Sequence, residues 1–319
     1  HGTGGSYRSA MLDGTAQSMA ISKSNSNGSG AAVLNIDGSM HGPRRGLDLP
    51  PEVLFFNIGN PQAARGNTYQ GAIDNYALVH WIENADTDIA GVAGAKLDGA
   101  RIGFLGHSQG ATIGPLFAAF EDSLGAVLLS GAGGGLVESL LNKTEPVNVP
   151  AGVQLAVRED SLPGATHPVL SLMQQYFDPV DNANYGALLT QTPPDTVSPP
   201  HNSLVIYGQN DTFTPAGTTR ILADVMRLNI IAPAIQTGPG EPFEGYLGED
   251  PETDKVIEPP VGADFNIGED AVTQGLLQYQ PDGDYNGHFV LFRHPAAQKQ
   301  AREFFASWFA TGVATIPVP

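Results

Sequence analysis

The chain contains no cysteine in 319 residues. That excludes a disulfide framework, a thiol nucleophile and thiolate metal sites, and says little about compartment, since many exported bacterial proteins also lack cysteine. Basic residues are scarce: 15 Lys and Arg stand against 33 Asp and Glu, a net charge of −18. Nucleic acid and anionic membrane surfaces need cationic patches, so neither is expected as a partner. No stretch approaches the roughly 20 apolar residues of a membrane span, no signal peptide is present, and there is no internal repeat. What remains is a chain with 41% hydrophobic residues, long enough to bury a large core in one domain.

The most informative segment is Arg101-Ile102-Gly103-Phe104-Leu105-Gly106-His107-Ser108-Gln109-Gly110. An apolar strand runs into G-x-S-x-G and then into an apolar helix from Ala111 to Phe120, the context of a nucleophile elbow. Ser108 is the expected nucleophile. A serine hydroxyl is weak at neutral pH, so a histidine base and an orienting acid are expected downstream, in the order Ser, Asp or Glu, His. The strand Ser203 to Tyr207 leads into a polar turn carrying Asp211, at the edge where open α/β sheets place their sites. A last strand, Gly275 to Gln280, precedes the loop carrying His288.

Each assignment competes with another reading. Asp211 has the sequence context of a helix cap. Glu138 and Asp160 are the alternative acids, and His294, before Pro295, is the alternative histidine. An oxyanion needs two backbone N–H groups, one from the residue after the nucleophile and one from an earlier loop. Gln109 supplies the first. The glycine-rich His1-Gly2-Thr3-Gly4-Gly5-Ser6 is the candidate loop for the second, with Thr3 as donor and its hydroxyl as a further hydrogen bond.

Strands and helices alternate as a parallel sheet demands. Further strands are expected at Ala31 to Ile36 and Gly125 to Ser130, and helices at Asn67 to Asn84 with Asn67 or Thr68 as cap, at Ala216 to Leu228 and at Ala296 to Phe309. His41 reads as a loop residue rather than a metal ligand, since no second ligand stands at suitable spacing. The expected organisation is a core over 1–130, a cap insertion over 131–200, and a core continuation over 201–319 that includes an acidic excursion over 233–270. Leu136, Val137, Leu140, Leu141, Leu170, Leu172, Met173, Tyr176 and Phe177 are the insertion's apolar candidates for an acyl pocket, with packing inside the cap the blander role for most of them. The acidic excursion carries ten acids and one lysine. It reads as solvated irregular chain, with calcium binding the lesser reading and no EF-hand spacing.

The His-Gly of His1-Gly2, the elbow Gly106-His107-Ser108-Gln109-Gly110, the strand-end Gly208-Gln209-Asn210-Asp211 and Gly287-His288-Phe289 together resemble the α/β-hydrolase superfamily. The elbow run to Gly114 resembles that of acid lipases locally. Phe55-Phe56-Asn57-Ile58-Gly59-Asn60-Pro61, Arg65-Gly66-Asn67 and Gln70, with Gly131 to Leu141, look more like secreted bacterial lipases of the virulence-factor type. The resemblance implies an α/β-hydrolase fold, mostly parallel with helices on both faces. It also implies secretion or cell-envelope location and hydrolysis of small-molecule or lipid esters through an acyl-enzyme on Ser108, His288 and Asp211, with no metal or organic cofactor. In the superfamily the His-Gly loop follows earlier strands, whereas this sequence opens at that loop. An upstream segment completing the sheet is therefore expected. Other chemistry on the same triad, as in a peptidase, lactonase, perhydrolase or lyase, is the alternative, and a non-catalytic binding protein the more distant one.

Overall fold

The computed structural model describes residues 1–22, 30–57, 59–84, 96–196, 200–246, 256–262, 265–267 and 270–319. Its centre is a six-stranded parallel sheet ordered β1–β2–β3–β8–β4–β5. These strands are β1 (Ile102–His107), β2 (Leu124–Ser130), β3 (Asn202–Gly208), β4 (Ile230–Ile231), β5 (Val256–Ile257) and β8 (Gln274–Tyr279). A separate antiparallel pair, β6 (Phe265–Ile267) and β7 (Asp270–Val272), lies just before β8. The helices are α1 (Ser9–Leu12), α2 (Thr15–Ala20), α3 (Pro51–Phe56), α4 (Pro61–Asn84), α5 (Gln109–Ala118), α6 (Leu136–Asn142), α7 (Val149–Val157), α8 (Pro168–Phe177), α9 (Gly186–Thr190), α10 (Ala216–Met226), α11 (Val290–Arg293) and α12 (Pro295–Thr311).

The alternation of side chains along each strand explains why helices cover both faces. Val127 and Leu129 of β2 with Val205 and Tyr207 of β3 face one way, into a cluster with α4, α5 and α10. Ala126, Leu128, Leu204 and Ile206 face the other way, into a cluster with α12 and Met19 of α2. Strands buried on both faces read as continuous apolar runs, as LGAVLLS and NSLVIYG do. Each fully buried Leu or Ile contributes roughly 1.5–3 kcal/mol of transfer free energy.

Between β2 and β3 the chain leaves the sheet for α6 to α9. These helices carry a satellite core of Leu140, Val149, Val153 and Leu170. Among the described residues no helix is long and apolar enough to cross a membrane. Among them too, no group of three His, Cys, Asp or Glu is placed to hold a metal ion, and much of the acidic excursion falls outside them.

Two expectations are corrected. Residues 31–36 form no strand: no neighbouring strand pairs with them, and Val33 and Leu34 are 41% and 45% exposed. An apolar run becomes a strand only where a ladder partner exists. The helix expected from Asn67 starts six residues earlier, at Pro61. Asn60 Oδ1 accepts the Ala63 N–H at 3.2 Å, so Asn60 is the cap and Pro61 the first helical residue, which has no N–H to lose. Asn67 is instead buried, and its amide donates to the Leu54 and Phe55 carbonyls at 3.0 Å each, closing the end of α3 against α4.

Candidate active site

Ser108 stands between β1 and α5 with φ 55° and ψ −114°. A non-glycine residue held there costs on the order of 1–3 kcal/mol and needs surroundings that over-determine it. They do: Ser108 N–H donates to the Ser130 carbonyl at the end of β2 (2.9 Å), and its own carbonyl accepts from Thr112 N–H (2.9 Å). A β-carbon on Gly106 would meet the Gly110 carbonyl at 2.7 Å, so the glycines flanking the serine are a steric requirement. Inside α5, Pro115 lacks the N–H that would bond Ala111, and the side chain of Asn182, from the insertion, donates to that carbonyl at 3.0 Å. The elbow helix and the insertion are thereby fastened together.

Asp211 follows β3 by three residues and is buried, as is His288 in the 3₁₀ turn after β8. The Asp211 Oδ2 to His288 Nδ1 distance is 2.8 Å. Asp211 Oδ1 accepts from the backbone N–H groups of Phe213 (2.8 Å) and Thr214 (2.7 Å). The carboxylate thus organises its own turn and also meets the imidazole; it does not cap α10, which starts later, after Pro215. With Nδ1 against the carboxylate, the proton resides on Nδ1 and Nε2 is left as a base.

The imidazole is clamped between rings. Phe213 stacks on it at 4.7 Å and 14°, and His107 lies 4.7 Å away on another side. Gly131 (φ 56°) makes room: a β-carbon there would fall 2.6 Å from His288 Cε1. Burial, then the neighbouring His288, pushes His107 well below the ordinary histidine range, so it is neutral and serves as packing. The competing residues lie elsewhere. Glu138 accepts from Asn142 on its own helix, Asp160 is exposed, and His294 caps α12 beside Tyr279.

The first residues of the chain pack directly on the elbow. A β-carbon on Gly2 would stand 3.1 Å from Ser108 Cβ. Gly2 to Gly5 form a turn closed by Gly5 N–H to Gly2 carbonyl (3.0 Å), with Gly4 at φ 80° in the third position, where glycine is favoured. Thr3 sits at the turn's second position. Its hydroxyl donates to Gln109 Oε1 at 3.0 Å, so it ties the loop to the first residue of α5 rather than standing free as a third donor. His41, legible in sequence only as a loop residue, is buried and accepts the Gly4 N–H on Nε2 at 3.0 Å, while its Nδ1–H donates to the Ser39 carbonyl at 2.8 Å. His1 accepts from Gly38 N–H at 3.1 Å. Gln109 is the first residue of α5, where an N–H finds no partner inside the helix.

Ser108 and Gln109 open into a cavity of about 550 Å3 between the sheet edge, α3 and the insertion. Of the expected lining residues, Leu136, Leu140, Met173 and Phe177 face it. Val137 and Leu141 pack into the insertion's own core, Leu170 is fully buried there, Leu172 is 65% exposed and Tyr176 stacks beneath the Arg65 guanidinium at 4.3 Å. Sequence reasoning missed Val53 and Phe56 of α3, Phe213, Asn182 and Lys143, which also line the cavity. Lys143 had one signal, being the only lysine between residues 131 and 200.

The parallel sheet with helices on both faces, the serine elbow after β1, the acid turn after β3 and the histidine turn after β8 define an α/β-hydrolase fold. No protein-family model matches the sequence. No curated protein matches it either. Among solved structures, the chain is similar to a puromycin-hydrolysing peptidase of Mycobacterium tuberculosis, at 11% identity and a TM-score of 0.38 over 76% of this chain and 26% of that one. It is also similar to acetyl xylan esterase 1 of a Thermoanaerobacterium species, at 12% identity and a TM-score of 0.43 over 89% of this chain and 64% of that one. The chain thus spans about a quarter of the first and under two thirds of the second.

Proposed function

We propose that the protein is a serine hydrolase of carboxylic esters, acting through an acyl-enzyme on Ser108. The observation that carries the reading is the buried His288–Asp211 pair, 2.8 Å apart, in the turns after β8 and β3, together with a strained serine after β1 that opens into the cavity. His288 Nε2 takes the Ser108 proton as the hydroxyl attacks the ester carbonyl. Asp211 fixes the Nδ1–H tautomer and stabilises the imidazolium. The Gln109 and Thr3 amides hold the oxyanion, His288 then protonates the departing alcohol, and water repeats the sequence to release the acid. In this reading α6 to α9 cap the site and bound its acyl pocket.

The preference for apolar esters is supported by the cavity rim, where Val53 and Val147 are 48% and 47% exposed. The finer reading, a secreted bacterial lipase or esterase, is supported by the sequence resemblance alone. Hydrolysis of p-nitrophenyl esters of graded acyl length tests the assignment. Turnover by the wild-type protein and its loss in Ser108→Ala are expected; wild-type inertness towards every ester, or substantial turnover by Ser108→Ala, would overturn it.

A further inference from the structure

Among the described residues, Lys143 is the one cation lining the cavity that also contains Ser108. It follows the last residue of α6. Its ammonium donates to the Phe213 carbonyl and stands 5.9 Å from the ring centres of both Phe56 and Phe213. The surrounding wall is apolar, from Leu140, Val147 and Val149. An ammonium carries three N–H donors, and one carbonyl uses one of them. Among the described residues no carboxylate lies within 4.0 Å of it.

The nearby acids are committed elsewhere. Asp211 already accepts from His288 and two backbone N–H groups and acts on Lys143 only through its charge, beyond ion-pairing distance. Glu145 accepts from Thr212 and Asn286. Asp181 accepts from the N–H groups of Gly135, Leu136 and Ala183 and from the Gln174 amide. Glu52, on α3, also lines the cavity, outside ion-pairing distance of Lys143. A half-buried cation among aromatic and aliphatic groups, with no carboxylate at ion-pairing distance and only the longer-range attraction of Asp211, is costly to keep, and a methionine would fill the same space at less cost. In a chain this poor in bases, placing one there points to a ligand.

We propose that Lys143 determines specificity by receiving a carboxylate carried on the substrate, so that the site favours esters bearing a negative charge on the part that enters the insertion side of the cavity. The proposal rests on the ester-hydrolase reading above. Burial lowers the Lys143 ammonium to about 8 against the opposing attraction of Asp211, and a bound carboxylate would relieve that desolvation. The competing role is mechanical: through the Phe213 carbonyl, Lys143 pins the loop that carries Asp211 and the ring stacked on His288. A pin would affect every substrate alike.

The experiment compares p-nitrophenyl monoesters of succinic to adipic acid with the neutral esters of equal chain length, after subtraction of enzyme-free hydrolysis, on wild type, Lys143→Met and Lys143→Arg. The wild type should prefer at least one anionic ester by roughly 10- to 100-fold in kcat/KM, the range of a desolvated charge pair. Lys143→Met should bring the ratio of kcat/KM between anionic and neutral esters to about one, and Lys143→Arg should keep the wild-type ratio. Absence of a wild-type preference, or an equal fall on both ester classes in Lys143→Met, would overturn the proposal. Inertness of the wild type towards all esters would sink the hydrolase reading instead. The lysine proposal is then judged by calorimetry on Ser108→Ala protein, which should bind monomethyl glutarate at least tenfold tighter than methyl valerate. Equal binding of the two would overturn it.

Discussion

The cavity has two walls, one from the α/β core and one from the helices inserted between β2 and β3, and the carboxylate held behind the first is more fully bonded than the cation on the second. Behind the core wall, under the turn whose Phe213 and Thr214 line the cavity, Asp211 spends both oxygens on named donors, and His288 is stacked, flanked and bonded. On the insertion wall Lys143 gives one hydrogen bond to a carbonyl. The saturated wall is built to hold one geometry before substrate arrives, which is the condition for acting on a transition state. The unsaturated group is available to a ligand, so discrimination between substrates is expected on the insertion side.

The largest effect that would break this division is on the nucleophile. Ser108→Ala should lower kcat by about 10⁶, with folding intact by circular dichroism. Asp211→Asn should cost about 10⁴, because the amide leaves His288 in the wrong tautomer. Its equal effect on charged and neutral esters, measured as kcat/KM, would place it wholly on the core wall. His41→Ala removes the acceptor that holds Gly4 N–H and should lower kcat roughly 10- to 100-fold with KM little changed, as expected for a loop that serves the oxyanion. A change in KM alone would move His41 out of that role.

The smallest effect is a pH dependence. The Lys143 pKa is lowered to about 8, so its ammonium is present below that pH and lost above it. Asp211 supports the charged form, and Glu52 and Asp181 are the acids lining the cavity. The ratio of kcat/KM for an anionic ester to that for its neutral partner should therefore stay level below pH 8 and fall above it. His288 acts on both substrates and cancels in the ratio. A flat ratio up to pH 10 would remove the charge from the account.

The same contrast describes what the sequence made legible. Ser108, Asp211 and His288 announce themselves because each follows an apolar strand, and a strand buried on both faces is an unbroken run that can be read directly. The rest of the site depends on distant segments meeting. Nothing local in His41 shows that its ring will reach Gly4, 37 residues away. Nothing in Asn182 shows that it will answer the N–H missing from Pro115. Residues 31–36 failed as a strand for the same reason in reverse: the pattern was present and the neighbour was not. Nothing local in Lys143 shows that it will meet the Phe213 carbonyl, 70 residues away, and line the cavity.

The most direct test of the central claim is covalent labelling with a fluorophosphonate, followed by peptide mass mapping, on the wild type and on His288→Ala. A single adduct on Ser108 is expected in the wild type, formed far more slowly when His288 is removed. A folded wild-type protein that takes no label, or takes it on another serine, would contradict it.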